Sequence, residues 1–76
     1  MKIKDILPAI SYAADINVVT KEYSVSGYID KAIFPIDLII NRLVLEHCFP
    51  EILEKEIEGG LRANELGEII IPIKGE

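Results

Sequence analysis

The chain has 76 residues, of which 8 are basic and 13 are acidic, so its formal net charge is −5. This length predicts one small domain over residues 1–76, which needs very regular packing or oligomerisation to be stable. The single cysteine excludes an intramolecular disulfide, and one cysteine with one histidine cannot build a structural zinc site. The acidic balance argues against direct binding to DNA or RNA, which requires clustered Lys and Arg.

No membrane-spanning or targeting segment is expected. The longest apolar stretch, residues 32–45, is interrupted by Pro35, Asp37, Asn41 and Arg42, so it cannot cross a bilayer. The N-terminus lacks the apolar run and cleavage site of a signal peptide. With one thiol in the chain, a reducing cytoplasm is the expected location.

The first predicted element is a short helix over residues 5–14. If Asp5 is the N-cap, Pro8 falls in the first turn, where its missing N–H costs no hydrogen bond. Its core-facing side is predicted by four residues at helical spacing: Ile3, Ile6, Leu7 and Ile10.

Two strands are predicted next, over residues 16–22 and 24–30. The segment is rich in Val, Ile, Thr and Tyr, and its apolar residues partly alternate with polar ones. No Asn-Gly or Asp-Gly marks the turn, so the reversal is placed either near Glu22–Ser24 or at Ser26–Gly27.

A central helix is predicted over residues 35–48, with Pro35 in the first helical position and Pro50 as the stop. One apolar stripe runs along it: Ile36, Ile39, Ile40, Leu43 and Val44. Leu38 and Leu45 lie off this stripe. The helix is therefore expected either to sit between two layers or to expose apolar surface to a partner.

The segment after Pro50 allows two interpretations. It is either a helix that ends at Gly59-Gly60, or a single turn followed by a strand over 56–63 that pairs with 68–74. We favour the hairpin, with Gly59 at a bulge and three residues facing the core: Ile57, Leu61 and Ala63.

The last strand is predicted by three residues that share one face: Ile69, Ile71 and Ile73. Pro72 has no N–H to donate, so it places this strand at a sheet edge or turns its own nitrogen outward. The resulting order, α-β-β-α-(α)-β-β, predicts an α+β fold. In it, an antiparallel sheet of up to four strands carries an N-terminal and a central helix on one face.

The chain resembles short acidic proteins of phages and prophages of Gram-positive bacteria. The resemblance rests on Ile3-Lys4-Asp5-Ile6-Leu7, on Ile16-Asn17-Val18-Val19 and on Glu68-Ile69-Ile70-Ile71-Pro72-Ile73. The middle of the chain, residues 33–51, is longer and more apolar than that pattern. The resemblance carries no catalytic residue. It implies a small inhibitor or modulator of a host protein, either a defence protein or one that handles nucleic acid, acting in the cytoplasm of a bacterial host cell.

No set of residues predicts catalysis, a metal or a cofactor. His47 and Cys48 are neighbours on a helix and point about 100° apart, so Cys48 is expected to be a small core residue. Gly59-Gly60 lacks the Lys-Ser/Thr of a phosphate loop. Three tyrosines without interleaved basic residues are expected in the core or on the sheet rather than against nucleic acid: Tyr12, Tyr23 and Tyr28.

Two features predict a protein partner instead. Five carboxylates lie within thirteen residues and form a negative patch that suits a basic surface: Glu46, Glu51, Glu54, Glu56 and Glu58. Three apolar residues have no predicted place in the core: Leu38, Leu45 and Ile70. We expect a non-enzymatic protein-binding module. The alternative is a self-assembling accessory protein that uses the central helix or the strand containing Ile70, and a homodimer is expected in either case.

Overall fold

The computed structural model describes residues 1–35 and 38–74 of the chain. It contains α1 (Ile3–Ile6), β1 (Ile16–Ser24), β2 (Gly27–Ala32), α2 (Arg42–Cys48), β3 (Arg62–Ala63) and β4 (Ile69–Ile73). Two 3₁₀ turns, Leu7–Ala9 and Pro50–Glu54, follow the helices. The predicted α+β class and the order of the elements are confirmed.

The four strands form one curled sheet in the order β2-β1-β4-β3. β1 pairs antiparallel with β2, and β3 pairs antiparallel with β4. β1 and β4, however, run parallel, with Ile16 beside Ile69 and Thr20 beside Ile73. The prediction of a purely antiparallel sheet was wrong at this pair. The chain returns to β1 through a long crossover that contains α2, which is the connection that parallel strands require.

The core lies between the helices and one face of the sheet. Parallel register places Ile16 and Val18 of β1 on the same side as Ile71 and Ile73 of β4. These side chains meet the N-terminal segment and the residues around α2, and the buried cluster comprises Ile3, Leu7, Ile10, Ile16, Val18, Ile40, Leu45, Ile71 and Ile73. The apolar face predicted for the first helix is confirmed.

The N-terminal helix is shorter and starts earlier than predicted. Lys2 is its N-cap residue, and the Lys2 backbone N–H donates to the Asp5 carboxylate over 2.9 Å. Asp5 is therefore inside the first turn rather than at the cap. From this position its carboxylate still accepts a hydrogen bond from the backbone N–H of Lys2, which would otherwise have no partner in the helix. The chain tightens into a 3₁₀ turn at Leu7–Ala9, which contains Pro8.

The central helix starts at Arg42, not at Pro35. The Ile40 carbonyl accepts a 2.7 Å hydrogen bond from the Ile16 N–H, which holds the backbone beside β1 until Asn41. The Asn41 side chain then caps the helix by accepting from the Val44 N–H over 2.9 Å. Part of the predicted stripe, at residues 36–37, lies outside the described residues.

This later start rotates the buried face of the helix. Leu45, expected to lie off the apolar stripe and to be available to a partner, is 0% exposed, so that expectation was wrong, whereas Leu43 on that stripe is half exposed. Leu38 is exposed, as its off-stripe position predicted. Cys48 is also exposed, so the prediction that it belongs to the core was wrong.

Arg42 fastens α2 to the N-terminal segment. Its Nε donates to the Glu46 carboxylate over 2.8 Å, and its Nη1 donates to the Ile10 carbonyl over 3.2 Å. The guanidinium also lies 4.3 Å from the centre of the Tyr12 ring, in a cation–π contact. Tyr12 therefore packs against α2 although much of its surface is exposed.

The favoured hairpin at the end of the chain is confirmed, but its first strand is short. Arg62 pairs with Ile70 and Ala63 pairs with Ile69, while a separate bridge joins Ile57 to Ile73. Between them the backbone bends at Gly59, whose φ is +85°. Ile57 packs against the core as predicted, whereas Leu61 and Ala63 are exposed, so their predicted place in the core was wrong.

Pro72 lies in an interior strand, which excludes the first of its two predicted settings, a sheet edge, and leaves the second, a nitrogen turned away from the ladder. The Ile69 N–H donates to the Asp15 carbonyl on the β1 side, so alternation turns the nitrogen of Pro72 to the β3 side. There β3 has already ended, and the Pro72 carbonyl accepts from the Glu58 N–H over 2.9 Å. The proline thus occupies the one side of the ladder where no donor is required.

The turn between β1 and β2 requires Gly27. Val25 and Ser26 form the loop, which selects the second of the two predicted reversals, and Gly27 follows with φ +118°. The Ser24 hydroxyl donates to the Gly27 carbonyl over 2.8 Å and closes the turn.

Gly27→Ala should therefore lower the free energy of unfolding by about 1–3 kcal/mol, because a side chain rarely adopts this φ. Gly60→Ala is the matched control, since its φ is not positive and no atom lies within 4 Å of the added methyl group. That control should change stability by less than about 1 kcal/mol. Urea unfolding of the two variants checks this, and equal effects would contradict the account of the turn.

Candidate protein-binding surface

The β1–β2 hairpin carries the largest group of exposed apolar side chains on one element. Val25 at its tip is fully exposed, and Ile29 on β2 is 50% exposed. Tyr23 and Tyr28 lie opposite each other in the ladder, and their rings meet edge to face with centroids 4.8 Å apart. Both rings remain exposed to solvent. Tyr23 and Tyr28 lie on one face of the hairpin and Ile29 lies on the other, and we call these three residues together with Val25 the hairpin patch.

The strand that carries half of this patch is also an open sheet edge. β2 pairs with β1 on one side, and in the described part of the chain no strand pairs with its other side. Five of its six residues are exposed, from Tyr28 to Ala32. An edge strand of this kind offers unpaired N–H and C=O groups to another chain.

An ion pair joins the two edges of the sheet across its second face, the face turned away from the helices. Arg62 on β3 donates to the Asp30 carboxylate on β2, although β1 and β4 lie between those strands. The contact is possible because the sheet curls, and it encloses Val19 and Ile70, which are 4% and 8% exposed. Ile70 is therefore a buried residue of this face, and the expectation that it was free for a partner was wrong.

A shallow groove of about 300 Å³ lies beside this ion pair. Its lining consists of Asn17, Val19, Asp30, Ala32, Arg62, Ala63, Asn64 and Ile70. The two charges on its rim neutralise each other, so the groove has no net charge with which to select an ionic ligand. Among the residues the structure describes, no group of three or more His, Cys, Asp or Glu side chains is placed to hold a metal ion.

The acidic segment is largely neutralised within the chain. Glu46 pairs with Arg42 at 2.8 Å, Glu54 pairs with both Lys2 and Lys4 at 3.1 Å, and Glu56 pairs with the N-terminal amine at 3.0 Å. Glu51 and Glu58 make no ion pair with any residue in the described ranges. The five carboxylates therefore contribute far less net negative potential than their number in the sequence indicated.

The pairs formed by Glu54 and Glu56 have a second consequence, for their ionisation. The hydrogen bond from Lys2 is the main cause that lowers the pKa of Glu54, followed by the hydrogen bond from Lys4. The hydrogen bond from the N-terminal amine lowers the pKa of Glu56, and the bond to Glu54 raises the pKa of Lys2. These charges fasten the segment after Pro50 to the N-terminus, where the Ile57 N–H also donates to the Met1 carbonyl over 2.8 Å.

The other residues singled out by sequence do not converge on one site. His47 and Cys48 are both exposed at the end of α2. Leu38 lies beside a second apolar groove that includes Ile16, Phe34 and Leu66. Sequence reasoning missed the β2 edge as a surface. The signal was present in two adjacent charged residues, Asp30 and Lys31, which point to opposite faces of a strand and so indicate that neither face is fully buried there.

The chain matches no known protein family, and neither a curated protein nor a solved structure matches it. Within residues 1–35 and 38–74, no helix has the length and apolar character needed to cross a membrane.

Glu54→Gln should reduce stability at neutral pH, because it removes the negative charge that attracts Lys2 and Lys4 and replaces one of the two oxygens that accept their hydrogen bonds. A carboxyl whose pKa is lowered on folding stabilises the fold above its unfolded pKa, near 4.3, and this stabilisation is lost as pH falls through the folded pKa. The difference between wild type and Glu54→Gln should thus be present at pH 7 and close as the pH is lowered below about 4.

Glu51→Gln is the control, since Glu51 is exposed and makes no ion pair with the described residues. Urea unfolding from pH 7 to pH 2 measures both variants. If Glu51→Gln destabilises the protein as much as Glu54→Gln, or if the Glu54→Gln difference is independent of pH, the lysine pairs do not stabilise this segment.

Proposed function

We propose that the chain is a non-enzymatic protein-binding module and that the β1–β2 hairpin is its binding surface. The observation that carries the proposal is the combination, on one hairpin, of an open strand edge with the hairpin patch. Either feature alone is tolerated on a small protein, but together they supply main-chain hydrogen bonds and apolar area at the same place.

The chemistry of the patch suits a protein partner. Tyrosine is enriched at protein interfaces because it combines a large apolar ring with a polar group. Strand addition to the β2 edge would give a partner regular backbone hydrogen bonds, while Tyr28 and Ile29 would contact its alternate side chains on the two faces. No polar group of the hairpin is arranged as a nucleophile with a base, so binding is the better proposal than catalysis.

The acidic residues take a secondary role in this proposal. The net charge of −5 favours a partner with a basic surface, and the field of exposed residues such as Glu51 and Glu58 accelerates the encounter. Contact itself is assigned to the hairpin. Inhibition of a host protein in the bacterial cytoplasm, expected from the resemblance to phage proteins, is one activity that such a module could perform, and it stays a prediction.

The test is affinity capture with tagged variants from a bacterial lysate that also contains the untagged chain, so that either a second copy or a different protein can be captured. Ile29→Lys should lose the captured protein, because it places a charge in the centre of the proposed contact surface. Leu43→Lys is a matched control, since Leu43 on α2 has the same 50% exposure as Ile29. It should capture the partner as well as wild type does.

Circular dichroism of both variants is the control that checks whether they are folded. If Ile29→Lys captures the same protein as wild type, or if Leu43→Lys alone loses it, the hairpin is not the binding surface.

A further inference from the structure

The backbone of β2 presents a defined set of groups outward. The Ile33 N–H donates to the Val18 carbonyl over 3.1 Å, so the odd-numbered residues of β2 bond to β1. Alternation along the strand then turns the N–H and C=O groups of Tyr28, Asp30 and Ala32 away from β1. These three residues are the ones to which an added strand would bond.

We propose that the occupant of this edge is a second copy of the chain, with the two β2 strands antiparallel about a two-fold axis. This inference rests on the proposed function, since it names the partner of the hairpin surface. A two-fold axis perpendicular to the sheet makes the interface isologous, so one open edge satisfies its own copy and no further edge is created.

Geometry limits the possible registers to two. Such an axis keeps each face of the sheet on its own side. An even-numbered residue therefore lies opposite an even-numbered residue of the other copy, and an odd-numbered residue opposite an odd-numbered one. Axes through Ile29 or Asp30 pair five of the six residues of β2 with the other copy, whereas axes farther along pair three or fewer.

Charge complementarity selects between these two registers. An axis through Asp30 would place the two Asp30 carboxylates directly opposite each other, which destabilises a strand pair although each carboxylate also binds Arg62 of its own chain. An axis through Ile29 places two isoleucines at the centre, Tyr28 opposite Asp30, and Lys31 opposite Gly27. No like charges then face each other across the pair, so the register centred on Ile29 is the one we assign.

In this register the four backbone hydrogen bonds exchanged between Tyr28 and Asp30 of the two copies flank the axis. Ile29 and its symmetry mate form a non-hydrogen-bonded pair, in which Cα atoms are about 4.5 Å apart. Because each copy carries a net charge of −5, added salt should strengthen this association, in contrast to an electrostatic complex with a basic partner.

Disulfide trapping tests both the occupant and the register. The separation expected at Ile29 suits a disulfide, whereas two Lys31 Cα atoms would be about 13 Å apart along the strands and could not be bridged. The exposed native thiol is removed first by Cys48→Ala. In that background, Ile29→Cys should form a covalent dimer on mild oxidation, and Lys31→Cys should remain a single chain.

Light scattering of the wild-type protein provides a second measurement that needs no substitution. We expect a two-chain mass whose population rises with protein concentration and with salt. A single-chain mass throughout, or cross-linking of Lys31→Cys as efficient as that of Ile29→Cys, would overturn the proposal. Wild type can be a single chain while Ile29→Lys still loses a different captured protein. In that case the hairpin is a binding surface, and only the proposal that a second copy occupies it is wrong.

Discussion

The parallel pairing of β1 with β4 is the constraint on which the rest of the structure depends. These two strands lie far apart in the sequence, yet they form the centre of the sheet and supply Ile16, Val18, Ile71 and Ile73 to the core. Their opposite faces are also buried, at Val19 and Ile70. Strands buried on both sides read as nearly continuous apolar runs, which describes residues 16–19 and 69–73.

This central pair determines which parts of the chain remain exposed. With β1 and β4 inside, the sheet ends at β2 and β3. β3 has only two residues, and a very short edge is one way in which proteins avoid unwanted strand pairing. β2 is three times as long and has no such protection in the described part of the chain. The interaction surface that we propose is therefore a consequence of the topology as well as of the residues on the hairpin.

Local patterns in the sequence were sufficient to predict the order of the elements and most of the core. Alternation in residues 16–30 and 69–73 predicted three strands, and the spacing of Ile3, Leu7 and Ile10 predicted the buried face of the first helix. The reversal at Ser26–Gly27 was one of two open alternatives, and the observed loop lies one residue earlier, at Val25–Ser26, because its glycine follows the loop instead of occupying it.

Long-range contacts account for the failures. The start of α2 depends on the hydrogen bond between Ile16 and Ile40, which joins residues with no local relation. That start decides that Leu45 is buried and Cys48 is exposed. Likewise, the charge of the segment from Glu46 to Glu58 could not be judged from composition, because Lys2 and Lys4 neutralise Glu54 only after folding.

Amide hydrogen exchange followed by nuclear magnetic resonance tests the central claim most directly, because it reports each backbone hydrogen bond separately. In dilute protein, the N–H groups of Ile71 and Ile73 should exchange slowly, since they bond to β1 inside the sheet. Those of Tyr28 and Asp30 should exchange rapidly and become protected as the protein concentration is raised, whereas that of Ala32, which lies outside the paired residues, should stay unprotected. Rapid exchange at Ile71 in the dilute protein, or protection at Tyr28 and Asp30 that does not depend on concentration, would contradict a sheet with β4 at its centre and β2 as its open edge.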